Sequence, residues 1–406
     1  MKAHYYLLLI LTLCLACSNK NNQEKTSGKL TLDDLPVIAR SVESQGNTLT
    51  EVDISTVKDT FNIPLSVLLS SFQIIRLENS DEALTAAGQD TRIAISDHYL
   101  LINSFKAGAC KLYNRNGKYI TQISSIGQGP DEYTLGIYDM FLDETNNRIY
   151  LLPFRANKIL VFDLEGHPQK HIPLAYTTHK GRFLINPDNK TVTILCLPFQ
   201  DTPTALIWTQ DLEGNSLKEY PTSSPFLIIP STYDNEIKES LNTPGTIDFY
   251  LHNCVASQDT LYHYDKGSNL LRPVLPTKPN EPICHYFVEL PNYFLVTWYT
   301  QTSWNNAFPP NFPRILIDKN SLKGCFVNLK WNMLGNIDGP SKCYFDRGYF
   351  SAIMEPYELK EQLDQALAKK DQLTSSMVQK IKELNNQITE DDNCITFIGK
   401  LRTNTQ

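Results

Sequence analysis

No stretch of the 406-residue sequence reaches the ~20 apolar residues that a membrane-spanning helix needs; the longest run, Tyr5–Ala16, has 12. A basic surplus is missing as well. Lys and Arg number 37 against 44 Asp and Glu, for a net charge of −7, which excludes a nucleic-acid footprint. Glycine is scarce, with 18 residues against 23 prolines. Beyond residue 17 there is no Cys-x-x-Cys, so zinc and redox motifs have no support there. Neither a His-Glu-x-x-His, an EF-hand loop nor a Gly-x-Ser-x-Gly occurs. What is present is 41% hydrophobic and 20% charged residues, with 20 Tyr and 18 Phe. That is the composition of a folded chain rich in strands and turns.

Residues 1–17, MKAHYYLLLILTLCLAC, place Lys2 ahead of the 12-residue run and small Ala16 directly before Cys17. This is the build of a signal peptide. Its end resembles the lipobox of bacterial lipoproteins, which implies lipidation of Cys17 as the mature N-terminus. Cys14 stands where Leu is usual in that motif, and an ordinary secretory signal is the alternative. The polar segment 18–48 reads as a flexible tether, so the partner expected at this end is the membrane, through the lipid. No acidic run follows Cys17, which favours the periplasmic face over the cell surface.

Seven further cysteines, at 110, 196, 254, 284, 325, 343 and 394, cannot all pair within one chain. Most sit in apolar, strand-like contexts and are read as buried free thiols. A Cys343–Cys394 disulfide is the alternative if the last strands are neighbours.

Internal repeats set the architecture. Segments starting at Ile93, Met140 and Phe183 each give an apolar strand, a polar turn, a second strand, a loop and a third strand. Each third strand ends in Asn-Gly or Glu-Gly, at Gly117, Gly166 and Gly214, as tight hairpins require. Weaker copies follow at 246–275, 284–325 and 342–354. A four-stranded unit recurring every 48 or 49 residues matches one blade of a β-propeller. Residues 50–401, less a helical stretch at 357–390, hold between six and seven such periods. We therefore expect an all-β fold over residues 49–406, a six-bladed β-propeller. Segments 50–55, 71–77 and 394–401 are expected to share the ring-closing blades. Leu359, Leu363 and Leu367, then Met377, Ile381, Leu384 and Ile388, recur at helical spacing. Two amphipathic helices inserted before the last strand should pack on the propeller rim.

The block SSIGQGPDEY at 124–133, with IPLSVLLSSFQIIRLENSDEAL at 63–84, NNRIYLLPF at 146–154 and EDDNCITFIGKL at 390–401, carries a resemblance. The chain is similar over roughly residues 50–401 to the six-bladed β-propeller lipoproteins of Bacteroidetes, with NHL-type repeats. That resemblance implies a cell-envelope location and a propeller, and it implies no activity.

Candidate site residues are few. Gly127, Gln128 and Gly129 do not make a dinucleotide loop, because Glu132 stands where the third glycine is needed and Pro130 removes an amide. Asp131 and Glu132 beside them are solvated turn residues or, if they reach a propeller face, ligand contacts. His252, His263 and His285 read as sheet residues rather than metal ligands, and Asp139 and Asn253 could join a calcium site only by convergence with others. The segment 297–312 brings Trp298, Tyr299, Gln301, Trp304 and Asn305 together. Aromatic faces among amides suit a sugar or a peptide; the alternative is a loop packing its own rings. The leading expectation is a non-catalytic, cofactor-free propeller binding a glycan, a peptide or an envelope protein. The competing one is a metal-dependent, lactonase-like hydrolase or lyase with its site in the channel.

Overall fold

The computed structural model describes residues 34–88, 91–104, 108–199, 205–222, 235–252, 260–276, 283–300, 313–340 and 342–403, without the side chains of 54, 283–285 and 298–300. Six antiparallel sheets stand around a central channel, each written here from its innermost strand outward. Blade 1 is Arg92–Ile95, Tyr99–Ser104, Ala109–Asn114 and Tyr119–Ile123. Blade 2 is Ile137–Asp143, Arg148–Pro153, Ala156–Phe162 and Ile172–Thr178. Blade 3 is Gly181–Asn186, Thr191–Cys196, Ile207–Asp211 and Ser216–Tyr220. Blade 4 is Glu236–Glu239, Ile247–His252, Thr260–Asp265 and Leu270–Pro276. Blade 5 is Ile283–Glu289, Tyr293–Thr300, Arg314–Asp318 and Gly324–Lys330, and blade 6 begins with Tyr344–Asp346, Tyr349–Met354 and Ile395–Lys400.

The middle strands are apolar on both sides because each sheet packs a blade on either face. Leu101, Cys110 and Leu112 of blade 1 share one core with Ile149, Leu151 and Leu160 of blade 2. Gly117, Gly166 and Gly214 hold the positive φ of the hairpins, at 84°, 87° and 91°. At Gly117 a side chain is excluded twice over, since a Cβ there would lie 1.9 Å from the Arg76 carbonyl oxygen of blade 6.

Both termini close the ring. The outer strand of blade 6 is Gln73–Arg76, antiparallel to Ile395–Lys400 with Ile395 opposite Arg76. This is the expected sharing of 71–77 with 394–401. The segment expected at 50–55 behaves differently. Asn47–Val52 pairs with Ala39–Ser44 in a separate hairpin turned at Gln45-Gly46. A strand that sequence patterning did not single out, Thr60–Pro64, adds to blade 5 in parallel with Gly324–Lys330.

That hairpin shortens the tether expected over 18–48. Leu35, Ile38 and Ala39 are buried, and Ile38 and Ala39 join Val57, Tyr250, Phe287 and Phe294 in one cluster. An apolar patch inside a polar segment is covered by the blades it touches.

The helical insertion lies between the second and third strands of blade 6, as α1 (Pro356–Ala368) and α2 (Ser375–Gln387). Pro356 suits the first turn of α1, and the Thr374 side chain caps α2 by accepting from the Met377 amide at 3.2 Å. Leu359, Leu363, Ala366 and Ile381 pack into the core that holds Trp331 and Leu334. The helices therefore sit on the rim of blades 5 and 6, as their apolar stripes require.

Cys110, Cys196, Cys325, Cys343 and Cys394 form no disulfide, so the Cys343–Cys394 alternative does not hold. All but Cys343 are buried, and they fill space as small apolar groups. Cys254 lies outside the described residues, as does the Cys284 side chain.

Candidate functional site: the charged channel

Each innermost strand turns one edge to the channel, and its free amides and carbonyls need partners. Charged side chains supply them. Arg182 of blade 3 donates from Nη1 to the Tyr138 carbonyl of blade 2 and from Nε to the Ile237 carbonyl of blade 4, the latter at 3.3 Å. Lys180 donates to the Asn235 carbonyl at 2.8 Å and to Glu236 at 2.8 Å. Arg347 of blade 6 reaches the Phe183 carbonyl at 3.2 Å and Asp139 Oδ2 at 3.1 Å. Asp139 itself accepts from the Phe183 amide at 2.9 Å and the Met140 amide at 2.9 Å. Four blades are thus tied across the axis by Asp139, Arg182, Glu239 and Arg347.

Edge satisfaction does not use all of these groups. Tyr138 Oη, Glu239 Oε2, Asp346 Oδ1 and Arg347 Nε are buried atoms without a hydrogen bond. Glu239 Oε2 lies 2.9 Å from Arg182 Nε, but that N–H is directed at the Ile237 carbonyl, so the contact is charge alone. Asp346 lies 3.7 Å from Arg347 Nε and its side chain is 44% accessible, although it stands deep among the blades. The solvent it meets is that of a cavity of about 520 Å³ lined by Arg92, Asp139, Phe141, Tyr344, Asp346 and Arg347 among others. A second cavity of about 760 Å³ lies between α1 and blades 6 and 1, and Tyr344 and Ile93 border both.

The electrostatics follow from burial. Burial lifts the Glu239 carboxyl to about 7, helped by Asp139 and Asp346 and opposed by Arg182. The same cause lifts Asp346 to about 6 against the pull of Arg347. Burial and then the neighbouring Arg92 push the Lys238 ammonium down to about 7. Burial, and next Arg182, lowers Arg92.

Of the residues singled out from sequence, Asp139 stands in the channel, whereas Asp131 and Glu132 do not. Glu132 accepts from the Gly129 amide at 2.7 Å and from Ser125 at 3.1 Å, and these bonds hold its carboxyl below the usual range. A Cβ on Gly127 would lie 1.9 Å from Glu132 Oε2, so the glycines leave room for this carboxylate. Asp131 pairs with His171 of blade 2 at 2.8 Å. Neither residue lines either of these two cavities. Trp298 and Tyr299 lie on the strand Tyr293–Thr300, opposite Cys284 and His285, with their side chains outside the described set. Gln301, Trp304 and Asn305 fall outside the described residues, as do Cys17 and Asn253.

The histidines are sheet residues. His263 pairs with Glu289 at 2.5 Å, and Lys319 holds the same carboxylate at 2.6 Å. His252 stacks on Tyr286 with ring centroids 4.6 Å apart. Asp139, named above as a possible contributor to a calcium site, is taken up by two amides and a guanidinium. Among the described residues no three His, Cys, Asp or Glu converge as metal ligands.

The channel residues Arg92, Arg182, Asp346 and Arg347 were not singled out from sequence. The available signal was a charged residue embedded in an apolar innermost strand, as in TRIAI, GRFLIN and YFDRGYF.

A protein of Bacteroides fragilis described as exported shares the fold at 14% identity and a TM-score of 0.57, covering 86% of this chain and 99% of its own. A member of the duf4221 family from Bacteroides vulgatus matches at 10% identity and a TM-score of 0.42, over 82% of this chain and 97% of its own. The periplasmic gluconolactonase PpgL of Pseudomonas aeruginosa matches at 12% identity and a TM-score of 0.35, over 58% and 67%. No curated protein matches the sequence. The family model described as "Domain of unknown function (DUF4934)" matches residues 49–400, the whole propeller, and the chain belongs to that family.

Proposed function

We propose that this is an exported, lipid-anchored propeller of the cell envelope that holds a small polar ligand in its channel without transforming it. The observation that carries this reading is the 520 Å³ cavity, lined by Asp346 and Arg347, whose Oδ1 and Nε are buried polar atoms without a hydrogen bond. Unsatisfied buried polar groups cost stability, and a ligand that bonds them recovers it. The non-catalytic reading is supported at Asp139, which is engaged by two amides and Arg347 and so is not poised as a base.

Envelope location is supported by the signal-like segment ending at Cys17, by the relative of the same fold described as exported, and by the resemblance to the propeller lipoproteins noted in the sequence. No helix among the described residues is long and apolar enough to cross a membrane. The lipid supplies the anchor, with the propeller on the periplasmic face. Labelled fatty acid should enter the wild-type chain and not the Cys17→Ser variant; equal labelling rejects the anchor.

The channel is tested by hydrogen–deuterium exchange of the full chain against a panel of sugars, sugar acids, amino acids and dipeptides. Protection confined to segments 92–97, 139–145 and 344–351 is the expected result. Protection elsewhere, or none with any probe, rejects the channel as the site.

A further inference from the structure

We infer that the channel ligand is a neutral sugar, one of whose hydroxyl groups bridges Asp346 and Arg347. The inference rests on the channel reading above and names the ligand class.

Asp346 and Arg347 are neighbours at the hairpin between the first two strands of blade 6, and both line the 520 Å³ cavity. Arg347 Nη2 is taken up by the Phe183 carbonyl and Asp139, which leaves Nε as a donor without a bond. Asp346 Oδ1 is an acceptor without a bond. Its Oδ2 lies 3.7 Å from Arg347 Nε, too far for a hydrogen bond. A donor and an acceptor thus stand side by side, neither satisfied. The Asp346 side chain is 44% accessible, so the carboxylate meets the cavity. Its terminal torsion is soft, and rotation exchanges the two oxygens.

This pair selects a chemical group. A hydroxyl donates through its hydrogen and accepts through its lone pairs, so one hydroxyl answers both residues. An ammonium has donors only and would meet Arg347 Nε as one donor meets another. A carboxylate has acceptors only and would face Asp346 as a like charge.

The rest of the lining agrees. It holds four more carboxylates, and the chain already engages each of them. Asp139 accepts from two amides and Arg347. Asp143 accepts from the Asn146 amide at 3.2 Å and from its side chain at 2.8 Å. Glu144 accepts from the His98 amide at 3.0 Å and pairs with the His98 ring. Asp97 meets Lys400 at 3.5 Å. Arg92, on the innermost strand of blade 1, lines the cavity with no hydrogen bond of its side chain among the described residues, and its N–H groups can serve further hydroxyls. Tyr344 adds an aromatic wall for the C–H face of a sugar ring. The volume lies within the range of small-molecule sites, ~300–1,000 Å³.

The test compares sugars that differ chiefly in charge: glucose, glucuronate and glucosamine, then galactose, galacturonate and galactosamine. L-alanine serves as a probe without hydroxyls. Binding is read by calorimetry and hydrogen–deuterium exchange of the full chain at fixed ionic strength. In at least one series the neutral sugar should bind about tenfold or more tightly than both charged relatives, with protection in the channel segments. Asp346→Ala should weaken that sugar about tenfold, and Asp346→Asn, whose amide oxygen still accepts, about threefold or less. Arg92→Met, on a different blade, should weaken it as well, and it keeps the test decisive should a blade 6 variant not fold. A charged relative binding as tightly as the neutral sugar overturns the inference while leaving the channel site standing. So do equal losses for Asp346→Ala and Asp346→Asn, indifference to Asp346→Ala and Arg92→Met, or channel protection by L-alanine and by no sugar. Absence of channel protection with every probe overturns both.

Discussion

Arg347 of blade 6 crosses the channel to Asp139 of blade 2, with Nη2 3.1 Å from Oδ2. The residues are 208 positions apart in sequence, and the same carboxylate oxygen accepts the Phe183 amide of blade 3. One carboxylate therefore fixes three blades. Removing it leaves a guanidinium and an amide without their acceptor. Asp139→Ala should cost about 3–5 kcal/mol in urea unfolding, the range for breaking a buried pair. Asp139→Asn, which keeps an oxygen for the Phe183 amide, should cost less. Equal losses for the two would deny the pairing its weight.

Glu239 gives the chain a pH dependence of known sign. Its folded carboxyl titrates near 7 against 4.5 for a free glutamate, so the folded state holds the proton more tightly. Its contribution to stability is full below 4.5 and is lost as pH rises through about 7, on the order of a few kcal/mol. Lys238 acts in the opposite sense: its contribution is present above 10.5 and is lost as pH falls through about 7. Melting profiles of Glu239→Gln should be flatter than wild type between pH 4.5 and 7. An unchanged slope would mean that other groups carry it.

Docking of the helical insertion depends on Gly335. Its φ is 76°, and a Cβ there would lie 2.6 Å from Ile381 Cδ1 of α2 and 3.2 Å from Ala366 Cβ of α1. Gly335→Ala should destabilise by about 1–3 kcal/mol, from strain and overpacking together. Limited proteolysis should then cut first within 356–387. Cleavage elsewhere, at wild-type rate, would show that the helices dock without it.

The inter-blade loop allows a double-mutant cycle. Every close contact of a Cβ on Gly127 is with the Glu132 side chain. Gly127→Ala should lower the melting temperature, and Glu132→Ala should lower it by removing the bonds to Gly129 and Ser125. In the double variant the first penalty should largely vanish. Simple additivity would place the glycine's role in backbone conformation instead.

Much of this fold was legible because it is local and repeated. Asn-Gly and Glu-Gly at 117, 166 and 214 mark hairpins that any blade must make, and the leucines of 359–367 report a helix by spacing alone. The hairpin at 39–52 was hidden because its apolar patch, Leu35 to Ala39, is too short to declare a partner. Thr60–Pro64 was hidden because a parallel edge strand has no adjoining turn to reveal it. The channel cluster was hidden for a different reason. Arg92, Asp139, Arg182, Glu239 and Arg347 come from five blades, and only the closure of the ring brings them together.

That closure also sets a clock. Gln73–Arg76 finds its partner only at Ile395–Ile398, about 320 residues later. Until Ile395–Lys400 is in place, blade 6 lacks two of its four strands and the first and last blades have open flanks. Contacts at such separation form slowly. The ring would therefore wait, unfinished, for Ile395–Lys400, and anything that shields exposed strands in that interval would govern how much of the chain folds.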